Sequence, residues 1–201
     1  VRLYYVRTFS KTGNAIMNRH YRKPLRGVGI NDASYEVYRK DVGICPFYKC
    51  WHSMINRCYS GDASAYKECT VCESWLTFSN FKKWMELQNW EGKHLDKDIL
   101  IQGNKIYSPD SCAFVSRQVN NLFTDRFAER GVLPVGVTLR KSGSFKVNCN
   151  DGFGNLIYLG TYKKVSQAVA AYQLYKYQVI KLVASLQDND LVKLALLNHK
   201  F

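Results

Sequence analysis

Acidic residues are scarce in this chain. Sixteen Asp and Glu stand against 29 Lys and Arg, a net charge of +13 over 201 residues. With a sequence pI near 9.4, such a chain is drawn to polyanions, and nucleic acid is the first candidate because counterion release supplies affinity. Long hydrophobic runs are missing as well. No stretch reaches 18 apolar residues, which excludes a membrane-spanning helix. Arg2 and Arg7 are not followed by an apolar core, so no secretory signal is read. The cysteines, seven and irregularly spaced, do not form a disulfide framework, and a reducing compartment is expected. Gly27 and Gly29 neither follow a strand nor open a helix, which argues against a phosphate-cradling nucleotide loop.

What is present reads as a folded α+β protein. An apolar fraction of 46% over this length supports one or two small domains. Residues 1–43 form a basic, tyrosine-rich arm and a turn-rich lead-in. In residues 46–60, Tyr48, Trp51, Met54, Ile55 and Cys58 recur at helical spacing, which predicts a helix with that stripe in the core and Lys49, His52 and Arg57 outward. Trp75, Phe78, Phe81, Trp84, Met85 and Trp90 predict an aromatic core around a helix from about Asn80 to Gln88, capped by Thr77 or Ser79. Cys69 and Cys72 are the close cysteine pair. They read as buried thiols by default, or as half of a zinc site whose complement would come from Cys45, Cys50, His52, Cys58 or Cys112.

Residues 94–112 carry the densest local signal. Asp96 and Asp98 alternate on a short strand. Gly103-Asn104 is a strong hairpin turn, and Lys105-Ile106-Tyr107 reads as the returning strand. Ser108, Pro109 and Asp110 read as the cap and first turn of a helix. Acids and amides gathered at the mouth of such a strand–turn–strand–helix unit suit a hard divalent cation. His94, two residues before Asp96, shares its strand face.

Leu95-Asp96, Gly103-Asn104 and Tyr107-Ser108-Pro109, continued by Cys112-Ala113-Phe114-Val115 and Asn120-Asn121, resemble the ββα-metal core of phage-type HNH endonucleases. The resemblance implies that Asp96 binds a divalent metal, Mg or Mn, with Asp98 a candidate to share it, and that Asn104 braces the hairpin. Lys97 stands where the family has its general-base His, and Ser111 where it has a second ligand. His94 becomes the candidate base, and Lys97 a candidate for steadying the scissile phosphate. Ser116 to Phe127 reads as a polar helix, with a domain boundary at about 128–134, giving an HNH-like domain over 44–128.

Residues 135–201 read as three strands and a helix, then a capped final helix. Phe145, Val147 and Cys149 alternate with Lys146, Asn148 and Asn150, the pattern of a half-buried strand. Strands are predicted over 136–140, 144–150 and 156–160, and a helix from about Ser166. The order Gly136-Val137, Leu159-Gly160-Thr161-Tyr162 and Ala168-Val169-Ala170-Ala171-Tyr172 resembles the ethylene-response-factor (Apetala-type) DNA-binding domain. That resemblance implies a three-stranded antiparallel sheet laid in the major groove of double-stranded DNA. The outward face is then Thr138, Arg140, Lys146, Asn148, Asn150 and Tyr158. Leu156 stands where the family usually has an arginine.

Taken together, the resemblances imply a homing-like, metal-dependent DNA endonuclease of the cytoplasm of a phage-infected bacterial cell. The alternatives are a catalytically degenerate DNA-binding or regulatory protein of the same fold, and a basic structural component of a phage nucleoprotein assembly.

Overall fold

The computed structural model describes residues 6–9, 15–18, 23–62, 66–123 and 132–199, with the first two stretches as backbone alone. It is an α+β structure, and the chain divides into two compact units: residues 1–91 with 103–114, and residues 92–102 with 115–201. No described helix is long and apolar enough to cross a membrane.

In the first unit, strands β1 (Val6–Phe9) and β2 (Ala15–Asn18) pair antiparallel within the basic arm. Short strands β3 (Tyr38–Arg39) and β4 (Gly43–Ile44) follow. Helix α1 (Pro46–Tyr59) begins at a proline, whose missing N–H costs nothing in a first turn, and buries Trp51, Met54 and Ile55 as the spacing requires. Helix α2 (Phe78–Glu86) starts two residues earlier than expected and buries Phe78, Phe81 and Met85. Its N-terminus is not capped by Thr77 or Ser79 side chains. Instead, Asp32 accepts the Ser79 N–H at 2.9 Å, from 47 residues upstream. Trp75, Phe81, Trp84 and Phe114 pack ring against ring. Trp75 lies 4.5 Å from Trp84 and 5.0 Å edge-on from Phe81, and Trp84 stacks on Phe114 at 5.7 Å. The Trp51 indole N–H, buried with its ring, donates to the Trp75 carbonyl at 2.7 Å, so a polar atom is satisfied inside the core. Arg57 does not turn fully outward. It is half-buried, with its guanidinium 5.7 Å from the centre of the Tyr66 ring.

The expected hairpin of residues 94–107 does not form. Strand β5 (Thr70–Val71) takes β7 (Ile106–Tyr107) as a parallel partner, Thr70 facing Ile106 and Val71 facing Tyr107. Strand β6 (His94–Asp96) pairs with β8 (Ala113–Val115). The physical reason is local. The Asp96 carboxylate accepts the backbone N–H groups of Asp98 and Ile99, at 2.9 and 2.8 Å. This is a side-chain turn that ends the strand before it reaches Gly103. The helix expected after Ser108 is also absent. A single turn stands there, with the Ser111 and Cys112 N–H groups on the Ser108 carbonyl. The helix comes after β8, as α3 (Arg117–Leu122), N-capped by Ser116 through the Val119 N–H. A strand–strand–helix order is thus present, built from β6, β8 and α3, with residues 97–112 as an excursion between the strands. The outer part of the polar helix expected to Phe127, and most of the expected boundary at 128–134, lie outside the described residues.

The second unit holds β6, α3, a three-stranded antiparallel sheet and two helices. Strands β9 (Val137–Leu139), β10 (Phe145–Asn150) and β11 (Leu156–Tyr162) lie in the order β11-β10-β9. Helix α4 (Val165–Ser185) crosses one face. Val137, Val147 and Ala168 are buried there, packed by Phe145, Leu159, Tyr162, Val169 and Tyr172. Gly136 sets the close approach. Its φ is +77°, and a Cβ at this position would collide with the Tyr172 ring and the Asn148 carbonyl. Helix α5 (Asp190–Leu197) is capped by Asn189, whose side-chain oxygen accepts the Leu191 and Val192 N–H groups.

Candidate nucleic-acid interface and acidic site

The sheet leaves one face uncovered by α4. Register places Lys146 between Thr138 and Thr161, with Asn148 opposite Tyr158 and Asn150 opposite Leu156. A shift between Val147 and Asn148, beside Gly160, carries the bulge that lets β11 follow the twist. Thr138, Arg140, Asn150 and Tyr158 are exposed, and Lys146 and Asn148 partly so. The Lys146 ammonium lies 5.8 Å from the centre of the Tyr158 ring, a cation–π contact, and the Tyr158 hydroxyl is 2.8 Å from Thr161 Oγ1. The six expected residues therefore share one face, and Thr161 joins them.

The two asparagines differ. Asn150 Oδ1 accepts the Gly152 N–H at 2.8 Å and so helps build the β10–β11 turn. The Asn148 side-chain amide has no hydrogen-bond partner among the described residues. Adenine recognition needs an amide's oxygen and nitrogen together, which favours Asn148. Leu156, exposed at the edge of this face, offers no hydrogen bond.

The acidic site is organised by alternation through the β6 end. His94, Asp96 and Asp98 fall on the more open side, while Leu95, Lys97 and Ile99 are buried. Lys97 is 6% exposed, and its ammonium sits 2.8 Å from Asp98 Oδ2. It is a buried partner of an acid, not an exposed cation. The Asp96 and Asp98 carboxyls are close enough for their charges to interact. Burial, and then the Asp98 charge, push Asp96 above the usual carboxylate range, against the pull of its two backbone N–H groups. Burial also works to raise Asp98, but hydrogen bonds from Lys97 and Asp96 and the Lys97 charge outweigh it and hold Asp98 low.

Asn104 and Ser111 belong to the other unit. The Asn104 amide donates to the Ile106 carbonyl at 2.7 Å and so shapes the turn before β7, a bracing role without a hairpin. Ser111 is buried, and its hydroxyl donates to the Ile106 carbonyl and meets Ser108 Oγ, both at 2.8 Å. Both side chains lock the loop they sit in. Cys69 is buried and Cys72 partly so, with Cys72 Sγ 3.4 Å from Ser74 Oγ. Among the described residues no three His, Cys, Asp or Glu side chains gather as a metal cluster.

Sequence reading missed Lys176. It sits within α4, buried, with its Nζ 2.5 Å from the Leu122 carbonyl at the end of α3. Its signal was position: Tyr172, Lys176, Val179, Ile180 and Val183 make one helical stripe in which a lysine stands among apolar residues.

No protein-family model, curated protein or solved structure matches the chain. The HNH and ethylene-response-factor likenesses rest on the residues quoted for them and on nothing further.

Proposed function

We propose that this chain binds double-stranded DNA through the open face of its three-stranded sheet, as a phage-type, homing-like HNH endonuclease whose acidic site lies at the end of β6. The observation that carries the reading is the packing of β6 against α3 within the second unit, with His94 and Asp96 on the open side of β6. The net charge of +13 supports the DNA partner. The sheet supplies recognition chemistry: Arg140 for guanine, Asn148 for adenine, and Lys146 for phosphate, its stem steadied by Tyr158.

The acidic pair fits a hard divalent cation such as Mg or Mn. Two adjacent carboxyls present oxygen donors whose mutual repulsion a dication offsets. Asp96 would hold it, with Asp98 beside it and water completing the shell. A bound ion would stabilise charge on the phosphorane and on the leaving 3′-oxygen. His94, exposed on the Asp96 side, would take the proton from the attacking water. Lys97 holds Asp98 ionised and thereby keeps an anionic oxygen beside Asp96.

One observation favours a second reading. Asp96, Lys97, Asp98 and Ser111 are all engaged in internal hydrogen bonds, as expected of a fold that keeps DNA binding without cleavage. Supercoiled plasmid incubated with Mg²⁺ or Mn²⁺, against a chelator blank, separates the two. The nuclease reading expects metal-dependent nicking that falls by at least about 100-fold in Asp96→Ala and His94→Ala. Intact, salt-sensitive binding with no nicking selects the second reading.

A further inference from the structure

A cavity of about 340 Å³ opens between α3, the β10–β11 turn and α4, all within the second unit. Its walls carry Arg117, Gln118 and Asn121 from α3, Asn150 from the end of β10, Phe153 from the turn, and Lys176 from α4. Among the described residues no carboxylate lines it. The nearby acid, Asp151, is committed to the turn, where it accepts the Phe153 and Asn155 N–H groups and the Asn155 amide.

Lys176 is 7% exposed and makes no ion pair among the described residues. It gives one of its three N–H groups to the Leu122 carbonyl. A buried ammonium without a counter-charge is costly, and this one faces an open cavity with a second cation at the mouth. We infer that this cavity is a binding site for a phosphate group, carried by a nucleic-acid strand or by a free nucleotide. The strand form rests on the DNA-binding reading above; the phosphate chemistry does not.

Phosphate fits better than a smaller anion for three reasons. Donors converge from three separate elements, as several oxygens on one centre require. Arg117 offers the planar fork that matches two of those oxygens. Phe153, half exposed at the turn, adds an aromatic surface suited to the attached sugar or base. Asn150 belongs both to this cavity and to the sheet face. A strand lying along the sheet would therefore reach the cavity at the end of β10.

The test uses Arg117→Gln, a change at an exposed residue, with Arg140→Gln as the sheet control. Inorganic pyrophosphate and a 5′-deoxymononucleotide are titrated while the backbone amide resonances of Gly152, Phe153 and Gln118 are followed by NMR. The expected result is saturable shifts at those amides, at least about tenfold weaker in Arg117→Gln and unchanged in Arg140→Gln. Duplex binding is then measured against salt. A slope lower by about 1 in Arg117→Gln identifies a strand phosphate; an unchanged slope, with pyrophosphate binding lost, identifies a free nucleotide. No localised shift, or equal shifts in Arg117→Gln, overturns the site. Failure of wild type to bind any duplex would sink the DNA-binding reading, while the pyrophosphate arm still decides the cavity.

Discussion

Two polar regions of this molecule behave in opposite ways. Around β6 the candidate groups are turned to each other: Asp96 to backbone N–H groups and Asp98, and Lys97 to Asp98. On the sheet face Arg140 and Asn148 are presented with no side-chain partner among the described residues. Binding chemistry needs donors and acceptors free before the ligand arrives, whereas a cation site can hold its charges in reserve through internal bonds that the ion replaces. The difference is the reason for proposing recognition at the sheet and metal chemistry at β6.

The largest expected effect removes the proposed recognition face altogether. Gly136→Ala forces a side chain into the Tyr172 ring at positive φ, at a cost of about 2–5 kcal/mol. Duplex binding should be lost in parallel with stability in urea denaturation. Retained affinity with a destabilised sheet would break the comparison by removing recognition from that face.

The Lys97–Asp98 pair sharpens it from the other side. Asp98→Asn leaves a buried ammonium facing a neutral amide and should cost about 1–3 kcal/mol, while Lys97→Met leaves a half-exposed carboxylate and should cost less than about 1 kcal/mol. Chemical denaturation of the two variants checks the inequality. Equal losses would mean that Lys97 is not held by burial.

The smallest effect is a pH dependence from Lys176. Burial lowers its pKa below 10.5, so between the two values the unfolded chain binds more protons than the folded one. Stability relative to Lys176→Met should therefore rise as pH increases through the window between the depressed folded pKa and 10.5. A flat difference across that window would show that the ammonium is not desolvated.

Most of the second unit was legible because its signals are local and mutually consistent. Phe145, Val147 and Cys149 alternate, Gly136 stands where no side chain fits, and Asn189 caps the final helix. The acidic region misled because the signals there compete. Gly103-Asn104 does turn the chain, with Gly103 at φ +79°, but Asp96 had already ended its strand through its own carboxylate. The returning segment then found a parallel partner 36 residues upstream, Thr70 facing Ile106. Neither event leaves a mark in periodicity. The same holds for Asp32, which caps a helix far along the chain, and for Ser111, whose type suggested a ligand and whose place makes it a loop lock.

The most direct test measures duplex binding against a randomised DNA library and against salt, for wild type, Arg140→Ala, Asn148→Ala and Asp96→Ala. The account predicts that Arg140→Ala and Asn148→Ala each lose about 1–3 kcal/mol of base discrimination at one position, and that Asp96→Ala binds as wild type does. Wild-type selectivity in both sheet variants, or binding lost only in Asp96→Ala, would contradict the assignment of recognition to the sheet.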